Sequence, residues 1–552
     1  MLFAVISIGG TSAQSESDAL ISPDSTPSSR RSAADKLKSG YPLASIIDRN
    51  GSDYFFIRCI FIRLLALLYF VAFLVLMRQA VPLIGYRGLL PADLYLDAVR
   101  GQLSSGFRLF WEVPSLFWWR ISDAVLRNSA YAGLGLSVLA FLGFGNGIVL
   151  FLLWFLYLSF VNVGQIFYGY GWESLLLETG FLAIFAVPLF RSDLSRASPP
   201  PFAVVVLFRW LLFRVMFGAG TIKLRGDSCW WDLTCLAYHY ETQPLPNPLS
   251  WYFHQLPLLA HKYGVAFNHF VELFIPWLYF APRRRRIIAG ICTIVFQFVL
   301  ILSGNLSWLN WLTIALSLFC LDDAFLLRML RRTAASIGKH APSPSRLWAT
   351  RILVAMVLFL SINPALNLVA LHQVMNASFD PFHLVNTYGA FGSIGRERYE
   401  IVLEGSDDEY ASPRGHWKEY EFKCKPGRVD SRPCIVAPYQ LRLDWQIWFA
   451  AMSSFQRNPW LIHLVAKLLA GDKAVLSLLE EDPFPGRPPR YLRAILYRYT
   501  FTKSFSDKAW WSRSPAATYF APITLEHPAL MQYLRQRGWD RRLKLRQSSS
   551  AI

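Results

Sequence analysis

Between Phe55 and Met77 the chain carries two charged residues, Arg58 and Arg63, in a run made otherwise of Leu, Phe, Ile, Val, Ala and a few others. A helix needs roughly 17 to 25 mostly apolar residues to cross the hydrocarbon of a bilayer, and this stretch is long enough. Comparable stretches run from Glu173 to Phe190, Phe202 to Ile222, Tyr263 to Phe280, Ile287 to Ser303, Leu306 to Leu321 and Leu347 to Ala370. The run from Tyr131 to Val163 is too long for one crossing, and Gly143, Gly145, Asn146 and Gly147 interrupt it, so it reads as a two-helix hairpin. The total is about nine crossings, which makes residues 55–370 a polytopic α-helical membrane bundle. Composition agrees, because 54% of the 552 residues are hydrophobic and 17% are charged, a balance that argues against a soluble enzyme.

The net charge of +18 does not form one continuous basic face. It gathers at the ends of apolar segments, at Arg283 to Arg286 and at Arg328, Arg331 and Arg332, and in the C-terminal tail. That is topology-setting charge, and a nucleic-acid partner is not expected. Placing the N-terminus in the cytosol puts Arg283 to Arg286 and the stretch from Arg328 to Arg346 inside, together with Arg191 and Arg196. Residues 1–54 are then expected to be a cytosolic disordered tail, since they are rich in Ser and Asp and their opening apolar run is too short for a signal peptide. An odd number of crossings puts the loop 223–262 and the domain 371–552 on the opposite, lumenal side.

The C-terminal domain changes texture. Residues 399–403, 420–424 and 439–443 nearly alternate, as half-buried strands do, and helical spacing follows from Trp445, notably Trp460 to Ala470 with Gly471 as a cap. The expected fold is a small sheet followed by helices. In an oxidising lumen Cys229 with Cys235, and Cys424 with Cys434, are candidate disulfides. Neither pair has the spacing of a thiol oxidoreductase, so structural straps are preferred over redox chemistry. Cys59, Cys292 and Cys320 lie within apolar segments and read as packing residues. Of three Asn-x-Ser sequons, Asn50 is expected in the cytosol and Asn305 in a tight turn, which leaves Asn376 as the glycosylation candidate.

Charges inside apolar segments are expensive and usually paired. Glu173 and Glu178 open one crossing, and Arg209 and Arg214 lie within the next. A brace of ion pairs between adjacent helices is preferred over a polar site. His269 and Glu272 sit three apart on one helical face, where an acid and a base could meet, although an interfacial hydrogen bond is the simpler reading. No G-x-S-x-G elbow, H-E-x-x-H, P-loop or zinc-finger spacing occurs, so no cofactor, metal or catalytic residue is assigned.

Several strings together are distinctive. They include LIGYRGLLPA from residue 83, VNVGQIFYGYGWESLLLETGFLAIF (161–185), and FRWLLFRVMFGAGTIKLRGDSCWWDLTCLAYHYETQPLPNP (208–248). SGNLSWLNWLT (303–313), VNTYGAFGSIGRERYE (385–400), YEFKCKPG (420–427) and RPCIVAPYQLRLDWQIWFAAM (432–452) continue the pattern. Across residues 55–540 the chain resembles the lipase maturation factor family, and NTYGAFGSI looks most like its type-1 branch. The resemblance implies an endoplasmic reticulum membrane protein that serves as a chaperone for homodimeric lipases, bringing lipoprotein lipase, hepatic lipase and endothelial lipase to an active, secreted state. It implies client binding by residues 371–552, contact with membrane lipid and with the reticulum's folding machinery, and no catalytic residues. The competing reading is a membrane enzyme resembling the vitamin K-dependent carboxylases, for which Glu173, Arg214 or Lys223 would be recruited. Lipid transport fits the bundle but not the elaborate C-terminal domain. The loop at 225–250 could touch a client or brace the lumenal face, and the brace is preferred.

Overall fold

The computed structural model describes residues 52–103, 106–191, 198–331, 343–504 and 508–543. The expected N-terminal tail, with Asn50, lies almost wholly outside the described residues. Among these residues, five helices are long and apolar enough to cross a membrane: Phe55–Ile84, Asp123–Phe144, Phe202–Arg225, Arg283–Ser303 and Pro344–Val369. Other apolar segments form shorter helices, including Gly147–Val163.

Helix α1 (Phe55–Ile84) is the hub. It is apolar on every side, and Ile57, Phe61, Ile62, Leu65, Tyr69 and Phe73 are all fully buried. Its first three backbone N–H groups, on Phe55, Phe56 and Ile57, donate to the Asp323 carboxylate at 2.7, 3.1 and 2.9 Å. A carboxylate there satisfies orphan donors and meets the positive end of the helix dipole. Helix α2 (Asp123–Leu139) ends in a π-helical turn where Gly143 takes φ 110. The chain then restarts as α3 (Gly147–Val163), capped by the Asn146 side chain on Val149 N–H. Helices α4 (Gly171–Ala186) and α5 (Phe202–Arg225) follow. The segment from Leu258 to Phe280 is helical in three pieces, α then π then 3-10. Pro276 explains the break, since it lacks the N–H that would continue the ladder. Helices α6 (Arg283–Ser303), α7 (Leu309–Ser317) and α8 (Pro344–Leu360) complete the bundle. Apolar side chains such as Leu142, Ile288, Val295 and Phe359 face outward, as lipid-facing positions do.

One end of the bundle gathers Phe55, Asp323 and the Arg283–Asp322 pair, with Nε to Oδ2 at 2.6 Å. At the other end of α1, Gln79 donates to the Gln440 carbonyl and accepts from Arg442 N–H, so the C-terminal domain sits there.

That domain is built on an antiparallel sheet in the order β2-β1-β3-β4, from β1 (Arg398–Ser406), β2 (Lys418–Glu419), β3 (Tyr491–Phe501) and β4 (Trp511–Ile523). Helices α9 (Arg442–Ala451) and α10 (Pro459–Leu469) lie between β2 and β3 in the chain, and Gly471, at φ 66, closes α10. This corrects the expected order of sheet and then helices, because two of the four strands follow the helices. It also corrects two expected strands. Residues 420–424 make only one bridge, Phe422 to Leu479, because Cys424 N–H turns to the Asp444 carboxylate. The alternation at 439–443 ends in α9, where Arg442 N–H is taken by Gln79 of the bundle. Bundle and domain share a core: Trp445 packs edge-on against Trp172 at 4.8 Å, and Phe167 against Trp460 at 5.9 Å.

Candidate functional site at the junction of bundle and sheet domain

The polar residues within the bundle find partners on several elements. On α4 and α5, Glu178 and Arg214 form a buried ion pair. The same carboxylate accepts the Asn386 backbone N–H at 3.0 Å, its Nδ2 at 3.1 Å and the Tyr388 hydroxyl at 2.8 Å, while Arg214 donates to the Asn386 carbonyl at 2.6 Å. The stretch around Asn386 therefore enters the bundle as irregular backbone, which is tolerated at that depth only when protein surrounds it. Glu173 pairs with Arg442 of α9 at 2.7 Å and accepts from Tyr157. Arg209 donates to the Phe319 carbonyl at 2.9 Å and to Tyr54.

His269 and Glu272 do not meet each other. Glu272 takes Lys223 Nζ at 2.6 and 2.7 Å, with Asn268 beside it, and His269 Nε2 lies 3.0 Å from the Trp230 carbonyl. Sequence reasoning did not anticipate Arg442, Asn386 or Tyr388 as partners. The two carboxylates of α4 are matched in number by Arg209 and Arg214 of α5, so no count of charges signalled that Glu173 pairs elsewhere.

The loop following α5 is stitched to the C-terminal domain. A Cys229–Cys235 disulfide closes its first turn. Trp230 donates from Nε1 to the Phe391 carbonyl at 3.0 Å, and Asp227 pairs with Arg396 at 2.6 Å. The loop's carbonyls at Glu241, Gln243 and Pro244 all accept from the buried Arg398 guanidinium, at 2.9, 2.5 and 2.9 Å. In the other direction, the Glu241 carboxylate accepts Phe501 N–H at 2.7 Å and Trp251 Nε1 donates to the Thr502 carbonyl at 2.9 Å. Asn305 joins three segments: it donates to the Leu245 and Cys434 carbonyls and accepts from Val436 and Ala437 N–H, all within 3.1 Å. Its amide is consumed and buried. Asn376 is exposed, at φ 53, with its Oδ1 accepting Gly389 N–H at 3.3 Å.

Beside this junction opens a cleft of about 520 Å³, with Pro246 of the loop on one wall and residues 421–434 on the other. The Cys424–Cys434 disulfide ties that second wall into a short loop. Exposed Lys423, Arg428 and Arg432 alternate with Asp430, Glu480 and Glu481 around it. The Glu421 carboxylate lies directly against Gly427, so a Cβ there would push that side chain aside. Burial lifts Glu421 above the usual carboxylate range, against the pull of Lys425. Ile435, 74% exposed, stands next to Cys434 in sequence, and Trp231, 67% exposed, projects from the loop. Among the described residues, no group of three His, Cys, Asp or Glu could hold a metal ion.

These features define a multi-pass helical membrane protein with a C-terminal sheet domain docked on its bundle. The chain belongs to the lipase maturation factor family. Residues 56–328 match the family's "Lipase maturation factor transmembrane domain" and residues 384–521 its "Lipase maturation factor C-terminal domain". It is similar to Lipase maturation factor 1 of Bos taurus, 46% identical over 522 residues, which covers 89% of this chain and 92% of that one. It is likewise similar to Lipase maturation factor 1 of Mus musculus, 44% identical over 549 residues, 94% of each chain. Lipase maturation factor 2 of Xenopus laevis is 33% identical over 612 residues, covering 88% of this chain and 84% of its own. The type-1 wording of the sequence agrees with these identities. No solved structure matches.

Proposed function

We propose that this chain acts in the endoplasmic reticulum membrane as a non-catalytic maturation factor for homodimeric lipases, with lipoprotein, hepatic and endothelial lipase as clients. The observation that carries the proposal is identity of 44–46% to proteins named Lipase maturation factor 1, over about nine-tenths of this chain. In this reading the N-terminus is cytosolic, the bundle crosses the membrane about nine times, and the sheet domain is lumenal. The basic cluster at Arg283 to Arg286, at the end of the bundle away from that domain, supports the orientation. The domain holds partly assembled lipase subunits at the 421–434 cleft and so limits their aggregation, handing them on with the reticulum's folding machinery. The pairing of Lys223 with Glu272 and of Arg214 with Glu178 supports a structural brace at those positions.

The test is rescue in cells lacking the factor, with lipoprotein lipase co-expressed and secreted lipase activity compared with secreted lipase mass. Arg428→Glu with Arg432→Glu changes only exposed cleft residues. It is expected to lower activity per unit mass while the factor's own expression holds. Full rescue by this variant would reject the cleft as the client site. Loss of rescue by Lys223→Met alone, in a variant that stays folded, would favour the enzyme reading instead.

A further inference from the structure

A second pocket of about 360 Å³ opens where α1 leaves the bundle and meets the chain entering α9. That volume lies in the range of small-ligand sites, roughly 300–1,000 Å³. Its lining is divided by height. Leu74, Leu441 and Leu443 supply apolar wall, and Arg78, Lys423 and Asp444 supply charge. Leu74 and Arg78 are one helical turn apart, so they lie on one face of α1 with the cation above. Arg78 is 23 positions beyond Phe55, the start of α1, a rise of about 35 Å against a hydrocarbon thickness of about 30 Å. With Phe55 at one face of the membrane, Arg78 falls at the level of the opposite headgroups and Leu74 where acyl chains begin.

The polar groups there are held in place and partly unused. Gln79 is fixed by the Tyr439 hydroxyl at 3.1 Å and the Gln440 carbonyl at 2.7 Å, and Lys423 Nζ rests on the Ser477 carbonyl at 2.7 Å. Arg78 is exposed and has no ion-pair partner among the described residues. Asp444 is 1% exposed, and its Oδ1 accepts Cys424 N–H at 2.7 Å and Lys425 N–H at 3.0 Å. Its Oδ2 is buried with no hydrogen-bond partner. That oxygen is closed to direct contact, so its charge acts on a cation in the pocket electrostatically across the lining.

We propose that this pocket binds the headgroup of a zwitterionic phospholipid, with the phosphate against Arg78 and Lys423, the ammonium toward Asp444, and the first acyl carbons along Leu74. A plain phosphate satisfies the two cations but meets the Asp444 carboxylate unfavourably, whereas a headgroup bearing both charges matches both sides of the pocket. Burial pushes the Asp444 carboxyl up to about 6, and an adjacent ammonium favours its charged form. The lipid would fill the gap between membrane surface and docked domain.

The full-length protein in detergent, titrated with short-chain phosphatidylethanolamine and followed by its unfolding temperature, tests the assignment. Phosphatidylglycerol, which has no ammonium, and inorganic phosphate are the comparison ligands. Phosphatidylethanolamine is expected to stabilise most. Arg78→Gln and Lys423→Gln, both at exposed positions, are each expected to weaken it by about tenfold. Asp444→Asn keeps the Oδ1 acceptor and is expected to abolish the preference for ethanolamine over glycerol lipid. Equal protection by inorganic phosphate, a wild-type preference for phosphatidylglycerol, or unchanged affinity in Arg78→Gln would each overturn the proposal.

Discussion

Arg442 Nη1 donates to Glu173 Oε1 at 2.7 Å, and neither side chain reaches solvent. The two residues are 269 positions apart, one opening a bundle helix and the other opening a helix of the sheet domain. Removing one partner strands a buried charge, at a cost of about 3–5 kcal/mol. Glu173→Gln or Arg442→Met should therefore each lower the unfolding temperature of the detergent-solubilised protein strongly. The double variant should recover much of that loss, because no unpaired charge remains. A double variant as damaged as the sum of the singles would show that the two residues act separately.

Asp323 binds three N–H groups at the start of α1. Replacement by Ala leaves those donors without a partner at the start of the hub helix of the bundle. The expected loss is about 1–2 kcal/mol, in line with other lost caps. Thermal unfolding of Asp323→Ala measures it, and Asp323→Asn, which retains an acceptor, should fall between the two.

His463 of α10 is buried beside Lys467, donates to the Leu89 carbonyl at 2.9 Å, and stacks on Trp539 at 4.3 Å. Burial, and then Lys467, hold its pKa down to about 3. The folded state thus resists protonation that the unfolded chain accepts near pH 6.5. Its contribution to stability is complete above about pH 6.5 and shrinks as pH falls toward 3, by up to about 1.4 kcal/mol per pH unit. His463→Asn should show a shallower loss of stability between pH 6.5 and 5 than the parent protein. Parallel curves would assign the acid sensitivity elsewhere.

The disulfides Cys229–Cys235 and Cys424–Cys434 close short loops, with separations of 6 and 10 residues. In the chain-entropy model each stabilises by somewhat under about 3 kcal/mol. Mass spectrometry of the non-reduced protein after alkylation should find none of these four thiols labelled. Cys424→Ser should impair rescue of lipase secretion, since it loosens the wall of the 421–434 cleft.

What the sequence disclosed followed range of interaction. The apolar run of α1 and the glycine cluster that interrupts α2 and α3 are local signals, set by a helix's need to hide its backbone from lipid. Glu178 and Arg214 were visible as buried charges on neighbouring helices. The position of Asn386, whose backbone fills the space between them, is a matter of tertiary packing and leaves no periodic trace. Residues 420–424 and 439–443 alternate as strands do, yet Asp444 and Gln79 capture their backbone groups. In β4, Pro515, Ala516, Ala517 and Pro522 dilute the usual strand signal, as edge strands often do. His269 and Glu272 shared a helical face but were separated by better partners, the Trp230 carbonyl and Lys223.

The three loop carbonyls gathered by Arg398 also set an order in time. Glu241 is made 157 residues before the guanidinium that binds it, a delay of about 8–30 s at ordinary rates of synthesis. During that interval the loop lacks its central donor, so one face of the growing protein stays unfinished. Assembly of this protein is therefore gated by translation of its own C-terminal half, and the last strands made complete a surface begun by the first helices.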